Sequence, residues 1–202
     1  MRTLHKLWVY LRVFARGRRH QTDLLRWLLR RPQLLVGTSA YEIAQIFSSR
    51  VETRLKKLAE LHTAALVHCQ FCLDIGSALA HYGGISERQL RELRDYQSSD
   101  AFDTREKLVL SFAQAMTTTP SEVDDELRTR LLEHFTRGQL AELASAIAWE
   151  NQRARLNEAL GVRPAGFADG LTCALPQPHQ EGRAGRSDPS DEPRSSSTEG
   201  TG

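Results

Sequence analysis

Two cysteines stand three residues apart in the run Cys69-Gln70-Phe71-Cys72. On a helix, positions i and i+3 share a face and lie within disulfide reach. The pair can therefore cycle between dithiol and disulfide, and it makes the chain a candidate redox protein. Zinc is the other common use of such spacing, but it needs four ligands and would have to recruit Cys173 and a distant histidine. No second paired motif exists. A structural disulfide is out of place in a reducing cytoplasm. Two inert thiols packed as small hydrophobes remain the bland alternative.

The elements that must hold this pair read as helices. Leu34, Leu35, Ala40, Tyr41, Ile43, Ala44 and Phe47 outline one helix after Pro32. Val51, Leu55, Leu58, Leu61, Ala65 and Leu66 outline the next, which leads into the cysteines. A thioredoxin-type site, whose cysteines follow a strand, is therefore disfavoured. Leu73, Ile75, Ala78, Leu79 and Tyr82 continue helically to Gly83-Gly84, a pair suited to the left-handed residue that closes a helix. Ser86 with Gln89, Asp103 with Glu106 and Thr136 with Gln139 are capping boxes that open helices over 86–94, 103–116 and 136–160. A further helix spans 124–135, and Gly161 ends the last one. No stretch sustains the two-residue alternation of a half-buried strand. The expectation is an all-α domain, a compact bundle of about seven helices.

Composition bounds the rest. The 202 residues are 40% hydrophobic, enough for one domain with its own core. The net charge of +2 hides a gradient, because residues 1–31 hold nine Lys/Arg and only Asp23, whereas the remainder carries 18 basic and 24 acidic residues. Within 1–31, Leu4, Leu7, Trp8, Leu11 and Phe14 recur at helical spacing between Arg2, Lys6, Arg12 and Arg16. This is a basic amphipathic segment, suited to covering the domain's flank or to weak contact with an acidic surface. No nucleic-acid motif accompanies it. With neither a signal peptide nor a run of about 20 apolar residues, the chain reads as soluble and cytoplasmic. Residues 176–202 hold Ala184 as their only apolar aliphatic residue, and 170–202 reads as a disordered tail, with Cys173 an incidental thiol at its edge. The folded domain is expected over 32–169.

The run Ala64-Ala65-Leu66-Val67-His68-Cys69-Gln70-Phe71-Cys72-Leu73-Asp74, the segments Ile75-Gly76-Ser77-Ala78 and Gly84-Ile85-Ser86, and the closing helix with Glu150-Asn151, Arg153, Arg155, Asn157 and Ala159-Leu160-Gly161 together resemble the carboxymuconolactone decarboxylase family, in its alkylhydroperoxidase D-like branch. The resemblance covers about 32–166. It implies an all-helical thiol peroxidase or disulfide oxidoreductase assembled as a trimer or hexamer. It needs no cofactor or metal, takes a hydroperoxide or other small molecule as substrate, and is re-reduced by a thiol or disulfide reductant. Cys72 would attack the hydroperoxide as its thiolate, and Cys69 would resolve the resulting sulfenic acid into a disulfide. The peroxidase members carry a glutamate twelve residues before the first cysteine and a histidine four after the second. Those positions are Lys57 and Gly76 here. An unassisted thiol with pKa near ~8.5 is mostly protonated at neutral pH. Lys57, Glu60 and His68, with His62, are the candidate substitutes on the approach to Cys69. Asp74 could orient a proton donor or form an interhelical ion pair. Glu150, Arg153 and Asn157 share a face that could anchor a neighbouring helix or line the cysteine pocket. Two other functions fit the helices: a non-redox, lactone decarboxylase-like enzyme acting on a small cyclic carboxylic acid, and a non-catalytic oligomeric module working through 1–31.

Overall fold

The computed structural model describes residues 2–17 and 23–174, with side-chain environments from residue 8 onward. Among these residues every regular element is helical. The seven helices expected beyond Pro32 are all present: α3 (Pro32–Phe47), α4 (Thr53–Leu66), α5 (Gln70–Tyr82), α6 (Glu87–Glu92), α7 (Thr104–Thr117), α8 (Asp125–His134) and α9 (Arg137–Ala159). Two more precede them, α1 (Arg2–Phe14) and α2 (Asp23–Leu28). The one helix expected over 86–94 is instead α6 followed by a 3-10 turn, Leu93–Asp95.

Local chemistry accounts for the ends. All three capping boxes form, each with reciprocal side chain to backbone bonds that satisfy amides left unpaired at a helix start. Pro32 takes the first position of α3, where its missing N–H is no loss. Gly84 and Gly161 adopt positive φ just past α5 and α9, where a Cβ would be strained.

Helix α4 is the axis of the bundle, with α5, α7 and α9 packed around it. One core joins Leu58, Leu61, Leu73 and Tyr96 to both cysteines, and a second joins Leu55, Val109, Leu131, Leu143 and Ile147. A third lies between α1, α5 and the loop after α9, where Val9 and Val13 meet Ala78, Leu79 and Phe167. The N-terminal segment thus covers the flank, but through Val9 and Val13. Trp8, Leu11 and Phe14, on the stripe the spacing picked out, stay substantially exposed. Residues 171–174 lie along α5, with the Ala174 amide donating to Ser77 Oγ at 3.0 Å. Of the tail expected to be disordered, residues 175–202 lie outside the described residues. No helix among the described residues is long and apolar enough to cross a membrane.

Helix α3 is held differently from the rest, since none of its residues is buried. It is fastened to α9 by polar bonds: Tyr41 Oη to Ser145 Oγ at 2.6 Å, the Trp149 indole to Glu42 at 2.9 Å, and Arg153 to both Glu42 oxygens at 2.8 and 3.0 Å.

Candidate active site

The cysteines owe their placement to a three-residue reversal. After α4 the His68 amide donates to Ala65 O at 3.3 Å and the Cys69 amide to Ala64 O at 3.0 Å, the two bonds of a Schellman closure. His68 occupies the left-handed position of that closure, with φ of 62°. The next residue, Cys69, is at once the end of this motif and the N-cap of α5, its sulfur accepting the Cys72 amide at 3.2 Å. Cys72 therefore sits in the first turn of α5, where unpaired amides and the helix dipole favour a thiolate. The two cysteines are joined as a disulfide, with Cα atoms 5.3 Å apart.

Both sulfurs are secluded. Cys69 is fully buried and Cys72 is 6% exposed. Cys72 looks into a cavity of about 540 Å³ whose walls are mostly apolar, among them Phe14, Leu25, Leu61, Phe71 and Ile75. The Asn157 amide nitrogen donates to Cys72 Sγ at 3.4 Å. The other end of that amide, Oδ1, is buried without a hydrogen-bond partner. A buried unpaired acceptor costs about 1–3 kcal/mol.

The polar part of the wall is a charge cluster. Lys57 Nζ meets Glu60 at 2.5 Å, Arg153 binds Glu42 and lies 3.8 Å from Glu60, and Arg153 also pairs with Glu150. Burial alone would lower Lys57 and raise Glu60. Their mutual attraction outweighs it and holds Lys57 well above its ordinary pKa and Glu60 below its own. Glu150 goes the other way: burial pushes it above the usual carboxylate range, against the pull of Arg153 and with the repulsion of Glu60. The cluster thus holds its cations paired and offers one carboxyl biased toward the protonated form.

Of the residues that the sequence nominated, Cys72, Lys57, Glu60 and Asn157 line this one cavity, with Glu150 and Arg153 beside them. Asn151 anchors α7 instead, donating to Thr117 Oγ1 at 3.0 Å. His68 does not share the helix leading to Cys69; it is exposed in the reversal, and its role there is conformational. His62 is buried in the core against Tyr96, ring centroids 5.0 Å apart, and burial lowers its pKa to about 4. Asp74 neither orients a proton donor nor forms an ion pair. Its carboxylate accepts the backbone amides of Ala165, Gly166, Phe167 and Ala168 at 2.8–3.1 Å, tying the loop after α9 to α5. Gly76, where peroxidase members carry histidine, also lines the cavity, but a Cβ built there would lie 2.8 Å from Leu61 Cδ2. A histidine cannot enter without repacking Leu61. Cys173, read as incidental, lies against α5 with its sulfur 3.4 Å from Ser77 Oγ.

Sequence reasoning missed Glu42 and Tyr10, which reach the cavity from α3 and α1. No motif marks either. Glu150 carried a signal, its spacing from Arg153 and Asn157 along one face of α9.

No protein-family model matches the chain. It is 32% identical over 166 residues to the uncharacterised protein YnjA of Escherichia coli K12, spanning 79% of this chain and 87% of that protein. Its fold matches the debrominase Bmp8 with a TM-score of 0.64 at 21% identity over 69% of this chain and 75% of that one; a cysteine-to-alanine variant of Bmp8 is known in complex with 2,3,4-tribromopyrrole. It also matches the alkylhydroperoxidase AhpD core of a peroxidase-related protein from Ralstonia eutropha JMP134, with a TM-score of 0.63 at 21% identity over 70% and 76% of the two chains. With a relative this similar over most of both chains, the chain belongs to the same family as YnjA, and its all-helical fold is that of the alkylhydroperoxidase AhpD-like proteins.

Proposed function

We propose that the protein is a thiol-dependent peroxidase for apolar organic hydroperoxides, working through Cys72 and Cys69. The observation that carries this reading is the Asn157 side chain, which lines the cavity and donates its amide nitrogen to the Cys72 sulfur while its Oδ1 lies buried without a partner. A hydroperoxide O–H donating to Asn157 Oδ1 would lie against the sulfur that attacks it. The Cys72 thiolate displaces alkoxide from the O–O bond and becomes a sulfenic acid. Glu150 gives the alkoxide its proton, which it recovers when the Cys72 thiol next ionises. The Cys69 thiol then condenses with the sulfenic acid, releasing water and forming the disulfide. A dithiol reductant restores both thiols with two electrons and two protons. Lys57 and Glu60 hold the charged wall in place and position Arg153.

The cation pairing also separates this reading from the lactone decarboxylase one. An anionic cyclic acid needs an uncommitted cation, and Lys57 and Arg153 already face Glu60, Glu42 and Glu150. A second copy of the chain would cover the outward face of α3, where Leu34, Val36, Ile43 and Phe47 are each more than half exposed. Sedimentation at a single monomer mass would refute that assembly.

The decisive experiment is intact-mass analysis in a Cys173→Ser background after a small excess of organic hydroperoxide. The reduced protein should lose about two daltons, the Cys69→Ser variant should gain about 16 as sulfenic acid, and Cys72→Ser should be unchanged. Glu150→Gln should slow the first step about a hundredfold. Oxidation of the Cys72→Ser variant at the normal rate, or thiols that persist for many minutes in the unmodified pair, would refute the reading.

A further inference from the structure

The basic N-terminal segment also presents an exposed face. While Val9, Val13 and Leu28 face the core, Trp8, Leu11 and Phe14 of α1, Leu25 and Trp27 of α2 and Leu29 beyond it are between 43% and 63% exposed. Arginines rim this patch: Arg12 stacks over Trp8 at 5.0 Å and Arg30 over Trp27 at 5.7 Å, with Arg26 alongside. Among the described residues no carboxylate pairs with any of these three. Asp23, the single acid of the segment, is bound by Arg163. Aromatic and leucine side chains set among arginines are the composition of a surface that enters the headgroup region of an anionic bilayer. The patch also has a definite relation to the cavity, since Phe14 and Leu25 belong to both. One edge of the Cys72 cavity is therefore built by residues of the patch.

We infer that α1 and α2 dock the protein on anionic lipid bilayers, with the cavity edge formed by Phe14 and Leu25 toward the membrane. Charge selects this occupant over a second copy, because the same patch on another chain would bring two arginine rims together. The outward face of α3, which carries no Lys or Arg, has no such objection to self-association. The inference goes beyond the peroxidase reading and stands without it, because binding is measured on the oxidised protein.

The test is flotation of the full chain with vesicles of phosphatidylcholine alone or mixed with phosphatidylglycerol. Anionic vesicles should capture the protein in low salt, shift its tryptophan emission to the blue, and release it at high salt. Each basic side chain near such a surface is worth about a factor of five in partitioning, so Arg26→Glu/Arg30→Glu should weaken binding about 25-fold or more. Trp27→Ala/Leu29→Ala should weaken it while leaving its dependence on phosphatidylglycerol. Circular dichroism should report an unchanged fold for both. Equal capture by neutral vesicles, or full binding by the charge-reversed variant, overturns the inference. So does a patch whose mutation alters only sedimentation, which marks a copy-to-copy contact, or only duplex DNA binding.

Discussion

Replacing Asn157 by leucine should move stability and thiol reactivity in opposite directions. Asn157 is 3% exposed, and its Oδ1 has no partner. Leucine has the same branched shape, its larger methyl groups border a cavity that can take them up, and it removes an unpaired acceptor whose burial costs about 1–3 kcal/mol. The fold should therefore be as stable as before or gain up to about 2 kcal/mol, a rise in Tm of up to about 6 °C for a domain of this size. The same change removes the donor 3.4 Å from Cys72 Sγ. A hydrogen bond to a charged acceptor contributes about 1.5–3 kcal/mol, and the long contact to sulfur belongs at the low end. The share of thiolate then falls about tenfold at neutral pH. The thiolate that remains is more nucleophilic, with a Brønsted coefficient of about 0.4–0.5, so the observed rate falls about three- to fourfold. Alkylation of the reduced protein by iodoacetamide, in a Cys69→Ser/Cys173→Ser background and across pH, measures this directly. An unchanged rate would show that Asn157 does not act on the sulfur. A loss of stability of more than about 2 kcal/mol would show that it is a structural keystone.

Two further variants address the histidines. His62 is neutral in the fold, its pKa pushed from the ordinary 6.5 to about 4, so the unfolded chain takes up the proton first as pH falls. Stability from this group is intact above pH 6.5, declines between about 6.5 and 4, and loses about 3 kcal/mol in all; urea melts of the wild type against His62→Phe should show that slope only in the wild type, and parallel curves would refute it. His68→Gly relieves the left-handed backbone at φ 62°. It should leave stability unchanged or raise it by about 1 kcal/mol without altering the Cys72 alkylation rate, whereas a slower rate would restore His68 to the site.

The fold was legible because its signals are local. Capping boxes at Ser86, Asp103 and Thr136 and the glycines at 84 and 161 act within a turn of where they stand, and each ended or began a helix where its neighbours required. The site was legible only in part, for it is assembled from six helices. Cys72 announced itself by spacing, and Glu150 and Asn157 by sharing a face of α9. Glu42 and Tyr10 could not, because their relevance depends on how α3 and α1 lie across the bundle. His68 misled for a similar reason: the apolar pattern of α4 runs to Leu66, and nothing in it says that the chain reverses at once. Asp74, two residues past Cys72, points to a loop some ninety residues away, since two steps along a helix turn a side chain by about 200°.

Positions 57 and 76 show how a departure from a family pattern can be read physically. Gly76 is fixed by Leu61, whose side chain fills the space that any side chain at 76 would need. Lys57 is not an isolated loss of a carboxylate either, for it brings a cation into a wall where Glu60, Glu42 and Glu150 supply three acids against Lys57 and Arg153. Two of the acids are neutralised by the two cations. The third, Glu150, is left to burial, which raises its proton affinity. In the proposed reading the acid has moved from α4 to α9, and the lysine tempers its proton affinity. With Lys57 replaced by glutamine the wall would hold three acids against one cation. Glu150 would then bind its proton still more tightly, and Glu60 would lose the partner that keeps it ionised.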